Sequence, residues 1–102
     1  VPPSMPNATI VEEITVIENR IVHIDCPVTG KPPPSIMWMK DNQPVDMLPT
    51  YGNRIRELSD GHQLEIRDVK VDDGGRYTCM ATNVAGQIEK HHKVKVWGKF
   101  SF

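Results

Sequence analysis

Two cysteines, no surplus of either charge and no long apolar run exclude this 102-residue sequence from several protein classes. Cys26 and Cys79 are too few to staple a small loop-rich fold, and their spacing suits no zinc site. No apolar run approaches the ~20 residues that a membrane-spanning helix needs. With 12 basic and 13 acidic residues, the net charge is −1, which argues against a nucleic-acid binder. We therefore expect one globular domain without membrane insertion.

Residues that could form a catalytic pocket are not grouped in the sequence. His91 and His92 are adjacent on a predicted strand, so their side chains should point to opposite faces and cannot chelate one ion. His23 and His62 stand apart, and we expect all four histidines on the solvated surface. Gly74-Gly75 opens a strand and not a helix, so no phosphate loop is predicted. The expectation is no enzyme, no cofactor or metal, and no small-molecule substrate.

The sequence does contain short runs in which apolar and polar residues alternate, separated by nine prolines and seven glycines. A period of two predicts half-buried strands. The predicted strands are a stretch around Ile14 and Val16, then Arg20–Cys26, Ser35–Lys40, Arg54–Leu58, Gln63–Ile66, Arg76–Asn83 and a long last strand with Val94 and Val96. Seven or more short strands favour an all-β sandwich, although a strand-rich barrel would share most of these features.

The cysteines and one tryptophan distinguish the sandwich from the barrel. Trp38 lies between Cys26 and Cys79, and the second cysteine ends the stretch Asp73-Gly74-Gly75-Arg76-Tyr77-Thr78-Cys79. This stretch resembles the immunoglobulin signature Asp-x-Gly-x-Tyr-x-Cys, which is found with a tryptophan between two cysteines. The resemblance implies an immunoglobulin-like Greek-key sandwich of two antiparallel sheets.

Three other segments resemble the intermediate, or I-set, class of immunoglobulin domains. They are Gly30–Trp38, similar to Gly-x-Pro-x-Pro-x-Ile-x-Trp, the turn Lys40-Asp41-Asn42, and Ala81–Gly86, similar to Ala-x-Asn-x-x-Gly. Val1-Pro2-Pro3 is similar to the connectors of hemicentin-type tandem-immunoglobulin matrix proteins. We therefore predict an interdomain linker over residues 1–8, an I-set domain over 9–97, and a C-terminal linker or expression remnant over 98–102.

The resemblance also assigns roles to core residues. It implies a disulfide between Cys26 and Cys79 against the Trp38 ring, whereas two reduced buried cysteines remain the alternative for a cytosolic protein. It implies that Tyr77 returns its hydroxyl to nearby backbone as a tyrosine corner, with Leu64 in the same core. It further implies an ion pair between Arg54 and Asp73, for which Arg56 could substitute.

Two groups of residues are candidates for partner binding. Strand phase places Met37, Met39 and Met80, with Thr78, on one exposed sheet surface. This surface could adapt to a protein partner, or the methionines could be ordinary scattered surface residues without a function. On the last strand, Lys90, Lys93 and Lys95 could weakly bind a sulfated glycosaminoglycan, or simply keep a strand edge solvated.

The compartment follows from two features. Asn7-Ala8-Thr9 is a glycosylation sequon, and a disulfide persists outside the cytosol. Both favour an extracellular location, secreted or on the cell surface. We expect an adhesion or scaffold module that contacts other proteins, including neighbouring immunoglobulin domains. The alternatives are an intracellular muscle-filament module and a growth-factor receptor ectodomain module.

Overall fold

A computed structural model describes residues 1–98, so most of the segment predicted over 98–102 lies outside the described residues. The described part is built of strands and three single-turn 3₁₀ helices, at Val45–Met47, Ser59–Gly61 and Val71–Asp73. The strands are β1 (Glu12–Ile17), β2 (Val22–Asp25), β3 (Ser35–Lys40), β4 (Gln43–Pro44), β5 (Ile55–Leu58), β6 (Gln63–Ile66), β7 (Gly75–Asn83) and β8 (Gly86–Trp97). The all-β prediction is confirmed.

The strands form two sheets, with the order β1-β8-β7-β3-β4 in one and β2-β6-β5 in the other. All pairings between named strands are antiparallel except that of β1 with β8, which is parallel. The predicted sandwich of antiparallel sheets is confirmed, and β1–β8 is the parallel exception among the described strands. The chain crosses to the other sheet after β1, so β1 has no hairpin partner and runs alongside the last strand.

Alternation along the strands builds a single core between the sheets. Val22 and Ile24 on β2, and Leu64 and Ile66 on β6, are buried from one side. From the other side every second residue of β7 between Tyr77 and Ala81 points into the same space. Each large apolar side chain buried in this way contributes roughly 1.5–3 kcal/mol of transfer free energy. Both sheets are therefore held by one shared core.

The N-terminal segment packs against the domain more closely than a linker over 1–8 would. Ser4 and Thr29 exchange two backbone hydrogen bonds, of 2.8 and 2.9 Å, and form an isolated antiparallel bridge. Met5 is buried and belongs to the core. A free connector exposes its side chains, so the linker prediction departs from this structure at Ser4 and Met5.

A tight turn between β3 and β4 fixes the start of β7. Asp41 and Asn42 both have positive φ, 50° and 69°, a conformation that Asp and Asn tolerate better than most residues. The Asp41 carboxylate accepts a hydrogen bond of 3.0 Å from the backbone N–H of Arg76. Gly75 lies so close that a Cβ there would stand 2.7 Å from a carboxylate oxygen of Asp41. The nearby carboxylate and a φ of 151° at Gly75 together favour glycine at this position.

Candidate protein-binding face and the core beneath it

A disulfide and a tryptophan form the centre of the core. Cys26 and Cys79 are bonded, with their Cα atoms 6.2 Å apart, and neither is exposed. Trp38 is buried between the sheets, and its Nε1 donates a 2.7 Å hydrogen bond to the carbonyl of Gly61. That bond satisfies the only polar atom of the ring, so the indole can stay in the dry core. Leu64 is fully buried in the same cluster.

Tyr77 forms a second fixed point at the end of the sandwich. Its ring is buried, and its hydroxyl donates a 2.5 Å hydrogen bond to the backbone carbonyl of Asp73, four residues earlier. Burial raises the pKa of the Tyr77 phenol, so the hydroxyl remains a donor at all physiological pH values. This contact ties β7 to the 3₁₀ turn that precedes it.

Arg54 and Asp73 close the same end through a bidentate ion pair. The Arg54 guanidinium nitrogens Nη1 and Nη2 donate to the two carboxylate oxygens of Asp73 at 2.6 and 3.1 Å. Burial alone would raise the pKa of Asp73, but hydrogen bonds from Arg54 and from the Lys70 N–H outweigh it, so the pKa lies below its usual value. Arg56 does not take part, because it contacts Glu65 on another surface.

The outward side of the five-stranded sheet carries the three methionines. Met37 and Met80 are directly opposite each other in the β3–β7 register, and Met39 is opposite Thr78. Met37 is 50% exposed, while Met39 and Met80 are half-buried. We call this surface, formed by Met37, Met39 and Met80, the methionine face. Met37 and Met80 are strand neighbours on this face, and Met37 is its most exposed residue.

Thr78 also points outward, but it is not available to a partner. Its side-chain oxygen lies 2.8 Å from Nδ1 of His91 on β8, and only 4% of the residue is exposed. The expectation of an exposed threonine is wrong because the neighbouring imidazole covers it. Next to this pair, Arg76 and Lys93 are opposite each other in the β7–β8 register and both are exposed. The methionine face therefore has a basic border.

Lys90 overturns part of the glycosaminoglycan prediction. It lies on the inward side of β8 and is only 4% exposed. Its Nζ donates to the backbone carbonyls of Asn7 and Ile10 at 2.7 and 3.0 Å and lies 3.4 Å from a carboxylate oxygen of Glu12. A lysine held by three oxygens has no direction left for a sulfate. Lys93 and Lys95 remain exposed on the outward side.

His92 contradicts the expectation of four solvated histidines. It is buried, with its ring centroid 6.0 Å from that of Trp38, and its Nδ1 lies 3.3 Å from the carbonyl of Tyr77. Burial lowers the pKa of His92, so the imidazole is held neutral. His91 points outward on the next position, so the two rings lie on opposite faces. Among residues 1–98, no three histidine, cysteine or acidic side chains are arranged to hold a metal ion.

Sequence reasoning missed an ionic cluster on the outer side of the three-stranded sheet. Glu65 on β6 accepts contacts from His23 at 3.0 Å, from Arg56 at 3.2 Å and from Arg67 at 3.2 Å. These contacts, that of His23 first, lower the pKa of the Glu65 carboxyl. The signal was available, because β2, β5 and β6 bring His23, Arg56 and Glu65 into register. We call this group the Glu65 cluster.

The sequon lies at the start of the domain. Asn7 is exposed in a turn that is closed by a 3.0 Å hydrogen bond from the N–H of Ile10 to the Asn7 carbonyl. In the described part of the chain, no helix is long and apolar enough to cross a membrane.

Comparison with known proteins identifies the family to which this fold and core belong. The family model of the immunoglobulin I-set domain matches residues 7–96. The chain is an immunoglobulin I-set domain. Mouse hemicentin-1 is 40% identical over 84 residues, which cover 82% of the I-set chain and 1% of hemicentin-1. The muscle M-line assembly protein of Caenorhabditis elegans is 34% identical over 84% of the chain and 1% of that protein. The I-set chain thus spans about 1% of the length of these two relatives.

A solved structure extends the comparison. The structure of Drosophila OTK, extracellular domains 3–5, matches with a TM-score of 0.74 and 35% identity. The match covers 95% of the I-set chain and 30% of the OTK chain. None of these three matches indicates an enzyme. The family and its relatives point to a module for contacts between proteins.

Proposed function

We propose that this I-set domain is a non-enzymatic extracellular adhesion or scaffold module, and that the methionine face is where it binds a second immunoglobulin domain of the same kind. The observation that carries the proposal is the half-exposed Met37 directly opposite the partly exposed Met80. Methionine side chains are flexible and polarizable, and they are frequent on surfaces that adapt to partners. The basic border fits the polar rim that surrounds most protein interfaces.

The charges along β8 support a second copy as the partner. Glu89 is opposite Met80 in the strand register, and Lys93 is opposite Arg76 four residues further along. The outward side of β8 is therefore acidic at one end and basic at the other, with His91 between them. Two copies related by a two-fold axis through the middle of this strip would bring Glu89 of one near Lys93 of the other. A self-complementary pattern of this kind is what a two-fold interface requires.

The extracellular part of the proposal rests on two observations. The Cys26–Cys79 disulfide is a bond that oxidising compartments maintain. OTK, 35% identical over 95% of the chain, is described as extracellular. The 40% identity to hemicentin-1 agrees with the resemblance of the sequence to tandem-immunoglobulin matrix proteins.

Self-association of the purified domain tests the face. We expect wild type to form a weak dimer in sedimentation equilibrium, and the variant M37T/M39T/M80T to bind itself at least tenfold more weakly, about 1.4 kcal/mol. Threonine suits a strand and keeps the sheet intact. The matched control is Met47→Thr, which replaces an exposed methionine on the 3₁₀ turn outside the methionine face. A wild type that stays monomeric at millimolar concentration would remove this partner.

A charge swap tests the orientation. Glu89→Lys alone and Lys93→Glu alone should each weaken the dimer, since each puts like charges together across the two-fold axis. The double variant should restore it, because the pair then meets with reversed signs. If the double variant is as weak as the sum of the singles, the two side chains do not face each other in the dimer.

An intracellular muscle-filament module is the second candidate, favoured by the 34% identity to the muscle M-line assembly protein. The two candidates differ in the redox state of the cysteines. Trapping thiols with an alkylating reagent in the tissue that makes the protein distinguishes them. The reagent is added as the protein is denatured, because both residues are buried in the folded domain. Cys26 and Cys79 then resist alkylation in an extracellular domain, whereas alkylation of both would favour the filament module.

A further inference from the structure

We infer that Asn7 is the acceptor of an N-linked oligosaccharide, and that the sugar extends from the sandwich on the side away from the methionine face. This inference rests on the proposed extracellular function, because the sugar is added in the secretory pathway. The sequon Asn7-Ala8-Thr9 is the sequence requirement. The structure adds the exposure and turn geometry of these residues.

The turn at Asn7 presents both sequon side chains to solvent. Asn7 and Thr9 are exposed, while Ala8 between them packs against the core and anchors the segment. Asn7 has a φ of 54°, and the 3.0 Å hydrogen bond from the Ile10 N–H to its carbonyl closes the turn. Within residues 1–98 the carboxamide of Asn7 makes no hydrogen bond, so attaching a sugar breaks no contact. In contrast, Asn83 uses its carboxamide to bind Val1, Pro32 and Ala85.

The reaction is a group transfer from a lipid-diphosphate-linked oligosaccharide. A bond forms between the side-chain nitrogen of Asn7 and the anomeric carbon of the first sugar. The bond from that carbon to the diphosphate oxygen breaks, and the lipid diphosphate leaves with its electron pair. The Asn7 nitrogen loses one proton to a base of the transferase. No oxidant or reductant is needed, and the asparagine becomes a secondary amide.

Lys90 indicates which side of the sheet the sugar occupies. The outward residues of β8 are the odd-numbered ones, including Glu89, His91 and Lys93 next to the methionine face. Lys90 is on the opposite, inward side, and its Nζ reaches the Asn7 carbonyl at 2.7 Å. The turn it holds therefore lies across the sheet from the methionines. An oligosaccharide is bulky and solubilising, so this placement covers one side of the domain and leaves the binding side open.

The experiment is secretion of the chain from animal cells with an added signal sequence, followed by mass spectrometry before and after peptide N-glycosidase. We expect one oligosaccharide, lost on enzyme treatment with conversion of Asn7 to aspartate. The variants Asn7→Gln and Thr9→Ala should lose it, while Thr9→Ser keeps it. The matched control is Asn42→Gln, which replaces an exposed asparagine at positive φ that is outside any sequon. A folded, secreted domain without sugar on Asn7 would overturn the inference.

The side that the sugar occupies has its own readout. Hydrogen peroxide converts exposed methionine to the sulfoxide. Met37 should oxidise at the same rate in the glycosylated protein and in Asn7→Gln, and a several-fold slower rate with sugar would overturn the placement. The oxidation is run at a concentration low enough to keep the domain monomeric, so that neither measurement depends on self-association. If the dimer of the proposed function fails, these two results still decide the glycan.

Discussion

The two outer faces of the sandwich differ in how their charged side chains are paired. On the three-stranded sheet, Glu65 collects His23, Arg56 and Arg67, so its charges are satisfied within the domain. On the five-stranded sheet, the methionine face has apolar side chains at its centre and Arg76 and Lys93 at its border, and within residues 1–98 no ion pair joins either cation to a carboxylate. A surface whose charges are already paired within the domain gains few new contacts from a partner. The methionine face gains contacts and loses exposed apolar area on binding, so it is the better candidate for recognition.

Trp38→Ala should have the largest effect, because it removes the core on which both faces rest. We expect a loss of roughly 3–5 kcal/mol in the free energy of unfolding, measured with urea. The matched control is Trp97→Ala, since Trp97 is 48% exposed and its ring centroid lies 4.4 Å from the Lys95 Nζ at the surface. Equal losses in the two variants would contradict the packing described here.

Asp73→Asn should come next, at about 2 kcal/mol near pH 7, because it leaves the partly buried Arg54 without its carboxylate. The pKa of Asp73 is lower in the folded than in the unfolded chain, so its stabilisation is present above the unfolded value of about 3.9 and is lost as the pH falls through the folded pKa. The gap between wild type and variant, followed by urea unfolding, should therefore narrow below about pH 4. Asp72→Asn, exposed next to it, is the control and should show no such gap.

Glu65→Gln tests the face that carries the Glu65 cluster. It should lower the melting temperature at low salt by less than Asp73→Asn does, because the Glu65 cluster is closer to solvent. The difference should shrink in 1 M salt, where charges are screened within about 3 Å. Glu13→Gln, an exposed glutamate on β1, is the control. A difference that ignores salt would mean that the cluster acts by packing and not by charge.

Met37→Thr should have the smallest effect on unfolding, within about 0.5 kcal/mol, because half of the residue is already in solvent. The same change should measurably weaken self-association. Together with Glu65→Gln it sharpens the contrast between the faces: one variant costs stability alone, the other costs binding alone. If Met37→Thr destabilises the fold more than Glu65→Gln does, the comparison of the faces is wrong.

Strand phase predicted most of the strands, and the cysteines with Trp38 decided how they assemble. The even positions of the last strand, from Val94 and Val96 back, all point inward, and this phase also places Lys90 and His92 inside. The sequence prediction put these two outside because it weighed residue type above phase. Both are compatible with burial once partners are found: carbonyls for the lysine, and Trp38 with a backbone carbonyl for the histidine.

Other features had no periodic signal. Met5 enters the core from an irregular turn, so no alternation announces it. Thr78 has the outward phase, but phase gives the direction of a side chain and not what covers it. The parallel pairing of β1 with β8 depends on where the chain crosses between sheets, and this is a tertiary property.

The three oxygens around Lys90 have a consequence for its chemical reactivity. An amine-acylating reagent needs free approach to a deprotonated nitrogen, and the Lys90 nitrogen is tied to the carbonyls of Asn7 and Ile10. Acylation of Lys90 should therefore wait for the first turn of the domain to detach, while Lys93 reacts at once. The ratio of the two labelling rates therefore measures how often the N-terminal edge opens locally while the core stays folded.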